Sequence, residues 1–310
     1  MAISMVRLPD FLIIGAYKSG TTSLVEYLGQ HPQVFLPWLQ EPNYFAHPAD
    51  SNSTARKPDI EWGSVYRRHR TNTMRQYAAL FEDAPPGSIV GECSPEYMRS
   101  PHAVSRIHET LPNVKLVAIL RNPVERAHSD YQAFVRDSIE TEDFAAAVRR
   151  SPGLEPGHQY VLTGFYGRQL KPYYDMFGAD RIKVLLNDDL RSDSLGSIRG
   201  LGDWLGVETK EWEPNLNRNR NVSGRPGNVA VSTAFRLRRR LRPWLKPIVP
   251  QWAQRRADGL LVTGLKREPI APDVRGHLVD IYREDVSLLQ ALIGRDLSGW
   301  LANERAGEPK

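Results

Sequence analysis

The chain has 310 residues, 41% of them hydrophobic and 25% charged, with a formal net charge of +5. This ordinary globular usage excludes wholesale disorder, a collagen-like rod and a disulfide-stapled mini-scaffold, and the length allows a sizeable core. A single cysteine, Cys93, excludes an internal disulfide, and no apolar run approaches the ~20 residues of a membrane-spanning helix.

Phe11–Ile14 is a short apolar run ending at Gly15 and predicts a buried strand. Thr21–Gly29 predicts a helix with Leu24, Val25 and Leu28 on one face. Residues 46–75 are polar and interrupted by Pro48 and Pro58, which predicts a long surface insertion or lid. Tyr77–Phe81 has helical character, Ser88–Gly91 predicts a second strand, and Val104–Leu111 a helix ended by Pro112. Val114–Leu120, rich in Val, Leu and Ile, predicts a third buried strand. Pro123 stands at the start of a helix running towards Asp137, where proline is tolerated. A helix over Gly167–Phe177, a fourth strand over Ile182–Leu186 and a helix over Gly196–Leu205 follow. Pro272–Ile293 reads as a terminal helix, with Asp273 near its start and Gly294 just past its end.

Short apolar strands alternating with helices predict one α/β domain over residues 1–310. Its core is a P-loop-like parallel sheet of about four or five strands flanked by helices. Ligands of such sheets bind beyond the carboxyl ends of the strands, so the loops directly after each strand carry the functional information.

The first of these loops is Gly15-Ala16-Tyr17-Lys18-Ser19-Gly20-Thr21-Thr22-Ser23. Its glycine spacing is that of a phosphate loop, and the helix behind it offers N–H groups and partial positive charge to an anion. A nucleoside triphosphatase carries Lys then Ser/Thr directly after the second glycine. Here Thr21 and Thr22 follow Gly20, and the lysine, Lys18, lies inside the loop. The loop reads either as a phosphate cradle of another kind or as a glycine-rich turn. A second candidate follows the third strand: Arg121-Asn122-Pro123-Val124-Glu125-Arg126-Ala127-His128-Ser129-Asp130-Tyr131. The Arg121 fork and the Ser129 hydroxyl suit one phosphate monoester.

The K-S-G-T-T-S-L string and the R-N-P-x-E-R-x-x-S-x-Y string, in this order and about 100 residues apart, resemble the two phosphate motifs of the sulfotransferases. These enzymes use 3′-phosphoadenosine 5′-phosphosulfate (PAPS) as sulfuryl donor. The resemblance implies that Lys18, Ser19, Gly20, Thr21, Thr22 and Ser23 hold the 5′-phosphosulfate. It likewise implies that Arg121 and Ser129 hold the 3′-phosphate. Ser223, Gly224 and Arg225 stand where the family has a late loop closing over the 3′-phosphate and adenine; a plain exposed turn is the other reading. Gly164-Phe165-Tyr166-Gly167 with Leu170, and Gly294–Trp300, are similar to segments of the glycan branch, which includes the heparan sulfate N- and O-sulfotransferases.

The resemblance implies that Lys18 neutralises the oxygen of the leaving phosphate. Glu41, in Gln40-Glu41-Pro42-Asn43-Tyr44-Phe45, is similar to the glutamate that deprotonates the acceptor hydroxyl in that branch. His47 and His128 are the weaker alternatives for this base. Sulfuryl transfer demands no metal, and the eight histidines and lone cysteine show no metal-ligand spacing. The chain departs from the family at Cys93, which replaces the lysine of its E-K-[ST]-P-x-Y segment, and at Asn43, where the glucosaminyl 3-O-sulfotransferases have histidine. The acceptor is therefore left open among a small molecule, a glycan and a glycolipid. Glu92 reads equally as lining the acceptor side and as pairing with a basic side chain.

Charge is unevenly distributed. Residues 215–256 hold eleven Lys/Arg and no Asp/Glu, leaving 30 basic against 36 acidic residues elsewhere. Such a stretch attracts anions, including an anionic membrane surface, although Arg236–Arg242 also reads as a solvated helix face. No zinc-ligand pattern, RNA-recognition signature or convincing helix-turn-helix accompanies it, so nucleic acid is not an expected partner. Without a signal-peptide layout, the expectation is a cytoplasmic, bacterial enzyme. Two other classes stand against this reading. A P-loop nucleotide kinase would need the Lys-Ser/Thr pair that Gly20 lacks. A non-catalytic protein binding anionic lipid or glycan would show salt-sensitive association and no turnover.

Overall fold

The computed structural model describes residues 7–47, 71, 73–136, 139–149, 159–216, 225–226, 265–266 and 269–302. Ser223, Gly224, the Arg236–Arg242 stretch and most of the 46–75 insertion lie outside the described residues. Arg225 is described as a strand residue, in β6 (Arg225–Pro226), which pairs antiparallel with β7 (Leu265–Lys266).

The main sheet has five parallel strands: β1 (Phe11–Gly15), β2 (Val34–Phe35), β3 (Ile89–Cys93), β4 (Lys115–Leu120) and β5 (Ile182–Leu186). Their order is β2-β3-β1-β4-β5, so the first strand of the chain lies at the centre. Phe11 pairs with Gly91 on one side and Lys115 on the other. A side chain at Gly91 would collide with the Phe11 ring, its Cβ falling 2.1 Å from Cζ.

Both faces of the sheet are covered, as continuous apolar strands require. Alternate residues face opposite sides. Phe11, Ile13, Val117 and Ile119 pack with Leu24 and Leu28 of α1 (Thr21–Leu28) and with Ile198, Leu201 and Leu205 of α9 (Ser194–Leu205). Leu12, Ile14, Leu116, Ala118 and Leu120 face the larger core beneath α2 (Met74–Ala78), α3 (Ala103–Thr110), α4 (Pro123–Arg136), α5 (Phe144–Arg149), α6 (Gln159–Leu162) and α7 (Tyr166–Phe177). α8 (Asn187–Ser192) follows β5 directly. The terminal α10 (Pro272–Ile293) packs along α7, where buried Asp285 accepts the Gly167 and Arg168 backbone N–H groups at 2.8 and 2.9 Å and so caps the first turn of α7. Among the described residues no helix is long and apolar enough to cross a membrane.

Candidate active site

Four neighbouring strand ends build the site. The loop after β1 is tied to β4 by Ala16 N–H donating to the Ile119 carbonyl at 2.9 Å. It is tied to β5 by Asn187 Nδ2 donating to the Ser19 carbonyl at 2.8 Å. The end of β3 holds the segment after β2, because Glu41 N–H donates to the Cys93 carbonyl at 3.1 Å. Ser94 N–H in turn donates to the Ile13 carbonyl at 3.0 Å. The sequence-predicted Lys18 loop, Glu41 and Arg121 thus lie at the carboxyl ends of β1, β3 and β4, three adjacent strands.

The loop is shaped for an anion. Gly20 adopts φ 112° immediately before α1, a left-handed geometry that glycine supplies without a Cβ penalty. A Cβ there would fall 2.9 Å from Asn187 Nδ2. No side chain caps the start of α1 and no acidic residue occupies its first turn. Its orphan N–H groups are donors of the kind an anion takes, and Lys18 lies in the loop before them. Among the described residues, the non-glycine residues with positive φ are Lys18, Glu41 and Asn43. Left-handed backbone at such residues costs of order 1–3 kcal/mol and persists only where the surroundings enforce it.

On the other side of the loop, the buried Tyr166 hydroxyl faces Ser19 and the Arg121 backbone; burial pushes its proton affinity up, and Arg126 beside it opposes the shift. The Tyr17 phenol, raised by burial and then by Glu96 and Glu41, donates to Glu96 Oε2 at 3.2 Å. Arg99 donates to the same oxygen at 2.7 Å and lies over the Tyr17 ring. Fully buried Arg126 pairs with Asp130 at 3.0 Å. Arg121 lies 3.6 Å from Glu125, whose other oxygen accepts from Arg275 of α10 at 2.6 Å. Ser129 is buried two turns into α4.

At the end of β3, the Glu92 carboxyl is 1% exposed. Its Oε1 accepts from the Tyr77 hydroxyl at 3.2 Å and its Oε2 from the Ser94 hydroxyl at 2.9 Å. Burial raises its pKa to about 7 against the pull of the Tyr97, Ser94 and Tyr77 hydroxyls, and Glu41 adds to the rise. Among the described residues the Glu92 carboxyl is partnered by hydroxyls and not by a basic side chain, which corrects the expectation of a pairing with a base. Cys93 has its thiol pushed well up by burial, then by Glu41 and Glu92; the Thr21 hydroxyl bonded to it acts the other way. Cys93 thus joins the phosphate loop to Glu41 as a neutral thiol. His128, a weaker base candidate, packs among Tyr131 and Phe144, its ring 4.8 Å from that of Phe144. His47 is half-buried, and its carbonyl accepts from the Arg106 guanidinium.

Several site residues escape sequence reasoning. Asn187 bonds Ser19 from 168 positions away and Tyr77 bonds Glu92 from 15. The only signal for Asn187 is its position immediately after a strand.

A sulfotransferase-family model matches residues 9–213, so the chain belongs to the sulfotransferase family. Over 205 residues it is 29% identical to heparan sulfate glucosamine 3-O-sulfotransferase 6 of Mus musculus, covering 65% of this chain and 53% of that protein. It is 37% identical over 127 residues to the membrane-associated sulfotransferase kil1 of Dictyostelium discoideum, covering 41% of this chain and 23% of the relative. The chain spans about half the length of the heparan sulfate relatives. The crystal structure of a sulfotransferase from Alicyclobacillus acidocaldarius superposes with a TM-score of 0.69 at 28% identity, covering 95% of this chain and 99% of that one.

Proposed function

We propose that the protein is a PAPS-dependent sulfotransferase that transfers the sulfuryl group to a hydroxyl of a glycan-type acceptor. The observation that carries this reading is the convergence of Lys18, Glu41 and Arg121 on three adjacent strand ends, with Lys18 and Glu41 both in left-handed backbone. In this reading Lys18 neutralises the 5′-phosphate oxygen as the bond from that oxygen to sulfur breaks. Glu41 accepts the acceptor's hydroxyl proton while the new bond from the acceptor oxygen to sulfur forms. Arg121 and Ser129 bind the 3′-phosphate, and the product is 3′-phosphoadenosine 5′-phosphate. The heparan sulfate relatives support a carbohydrate acceptor.

Calorimetric titration with 3′-phosphoadenosine 5′-phosphate beside ATP, on wild type and Arg121→Ala, tests the donor site. Binding of the bisphosphate in preference to ATP, lost in Arg121→Ala, is expected. Preference for ATP with magnesium would overturn the proposal and favour a nucleotide kinase.

A further inference from the structure

The carboxyl group of Glu92 is buried one position before Cys93, whose carbonyl accepts the Glu41 N–H, yet the transfer chemistry assigns it nothing. Its Oε2 receives the Ser94 hydroxyl at 2.9 Å. The Ser94 oxygen accepts the Asn43 backbone N–H at 3.0 Å. Asn43 Nδ2 then donates to the Glu41 carbonyl at 2.9 Å, and Glu41 N–H donates to the Cys93 carbonyl at 3.1 Å. These contacts close a ring from the end of β3 to the two left-handed residues, Glu41 and Asn43, and back.

A hydroxyl has one hydrogen to give. With its hydrogen committed to Glu92, the Ser94 oxygen turns its lone pairs to Asn43. We propose that Glu92 is a positioning residue for Glu41: it orients the Ser94 hydroxyl, which holds residues 41–43 in the strained turn that aims the Glu41 carboxylate. The proposal rests on the reading of Glu41 as the base.

The electrostatics point the same way. The groups facing Glu92 are Tyr77 from α2, Ser94 and Tyr97 from the turn after β3, Cys93 beside it on the strand, and Glu41 from the loop after β2. Glu92 carries its proton up to about pH 7. Above that it ionises and places a second negative charge beside Glu41. The family's lysine at position 93 would oppose this coupling; Cys93, a neutral thiol, does not.

The test uses the release of 3′-phosphoadenosine 5′-phosphate from PAPS with water as acceptor, which needs no knowledge of the natural acceptor. It compares wild type, Glu92→Gln, Ser94→Ala, their double variant and Glu41→Gln, each checked calorimetrically for bisphosphate affinity. Expected are losses of about tenfold in kcat for Glu92→Gln and Ser94→Ala at unchanged bisphosphate affinity. The double variant is expected to be no worse than the worse single one, because both break one chain of contacts. The wild-type rate should also show an inflection near neutral pH that Glu92→Gln removes, which a purely structural role would leave in place. A wild-type rate and pH profile in Glu92→Gln, or losses that multiply in the double variant, would overturn the proposal. A wild-type rate in Glu41→Gln removes the base reading and this proposal together; loss there with an unchanged Glu92→Gln removes this one alone. Should Glu92→Gln fail to fold, Ser94→Ala decides: a lowered rate at unchanged bisphosphate affinity supports the proposal, and an unchanged rate overturns it.

Discussion

Arg275 Nη2 lies 2.6 Å from Glu125 Oε1, and this ion pair ties the terminal helix to the helix that follows β4. The same carboxylate faces Arg121 across 3.6 Å, so Glu125 is shared between a structural partner and a proposed phosphate ligand. Both members of the Arg275 pair are about one-tenth exposed. Replacing Arg275 by Met leaves Glu125 to draw Arg121 towards itself and away from the 3′-phosphate. The expected outcome is a several-fold weaker calorimetric affinity for 3′-phosphoadenosine 5′-phosphate. Stability should also fall, by ~3 kcal/mol at most, because a buried pair loses one partner and Arg121 compensates only in part. Arg275→Lys should restore much of both.

Lys18 combines a charge at the site with φ 63°. Lys18→Ala keeps the strain and loses the charge; Lys18→Gly loses both. Turnover of PAPS should drop by ~10²–10³ in each. Their thermal unfolding should differ, with the glycine variant the more stable by ~1 kcal/mol, because only alanine carries a Cβ in left-handed backbone. Equal activity in wild type and Lys18→Ala would remove the lysine from the chemistry.

Asn187 holds the Ser19 carbonyl and packs where a Gly20 side chain would be. Asn187→Ala should loosen the loop without touching the bound anion directly. Bisphosphate affinity is expected to fall by about tenfold, the equivalent of one hydrogen bond to a buried group. Titration calorimetry would read this, and an unchanged affinity would show that the loop keeps its form without β5.

Glu92 gives the fold a pH dependence of definite sign. Its pKa is raised in the folded chain from 4.5 to about 7. The folded state therefore binds more protons between these values, and stability decreases as pH rises through this window. The contribution is fully present below 4.5 and lost above about 7. Its ceiling is roughly 3 kcal/mol, since each pKa unit is about 1.4 kcal/mol. Denaturant titrations at pH 5 and pH 8 should show this difference in wild type and a much flatter dependence in Glu92→Gln.

Strands β1, β3, β4 and β5 were legible as apolar runs, and the motif loops at Gly15–Ser23 and Arg121–Tyr131 fall at strand ends as their spacing implies. β2 was not legible. It is two residues long, and the Pro32 and Pro37 that bracket it leave no periodicity to read. β3 runs to Cys93 rather than stopping at Gly91, because Glu92 and Cys93 read as polar or loop-like until their burial is known. α8 escaped because Asn187–Ser192 is mostly polar and begins directly after β5 with no break. The surroundings of Glu92 could not be read because Tyr77 and, through the Ser94 hydroxyl, Asn43 are brought to it by tertiary packing. The backbone strain at Glu41 is likewise a property of its surroundings, not of its neighbours in sequence.

The central place of β1 has a consequence for how the chain is made. The strand leaves the ribosome well before its partner β4, which begins at Lys115, about 100 residues later. At ~5–20 residues per second, the Phe-Leu-Ile-Ile run waits for roughly 5–20 s before its second edge is covered. Because Ala16 is anchored by the Ile119 carbonyl and Ser19 by Asn187, the donor cradle takes shape only once that wait is over. Nascent chains arrested before β4 should therefore be chaperone clients that a nucleotide resin does not retain, and chains released after α8 should be retained.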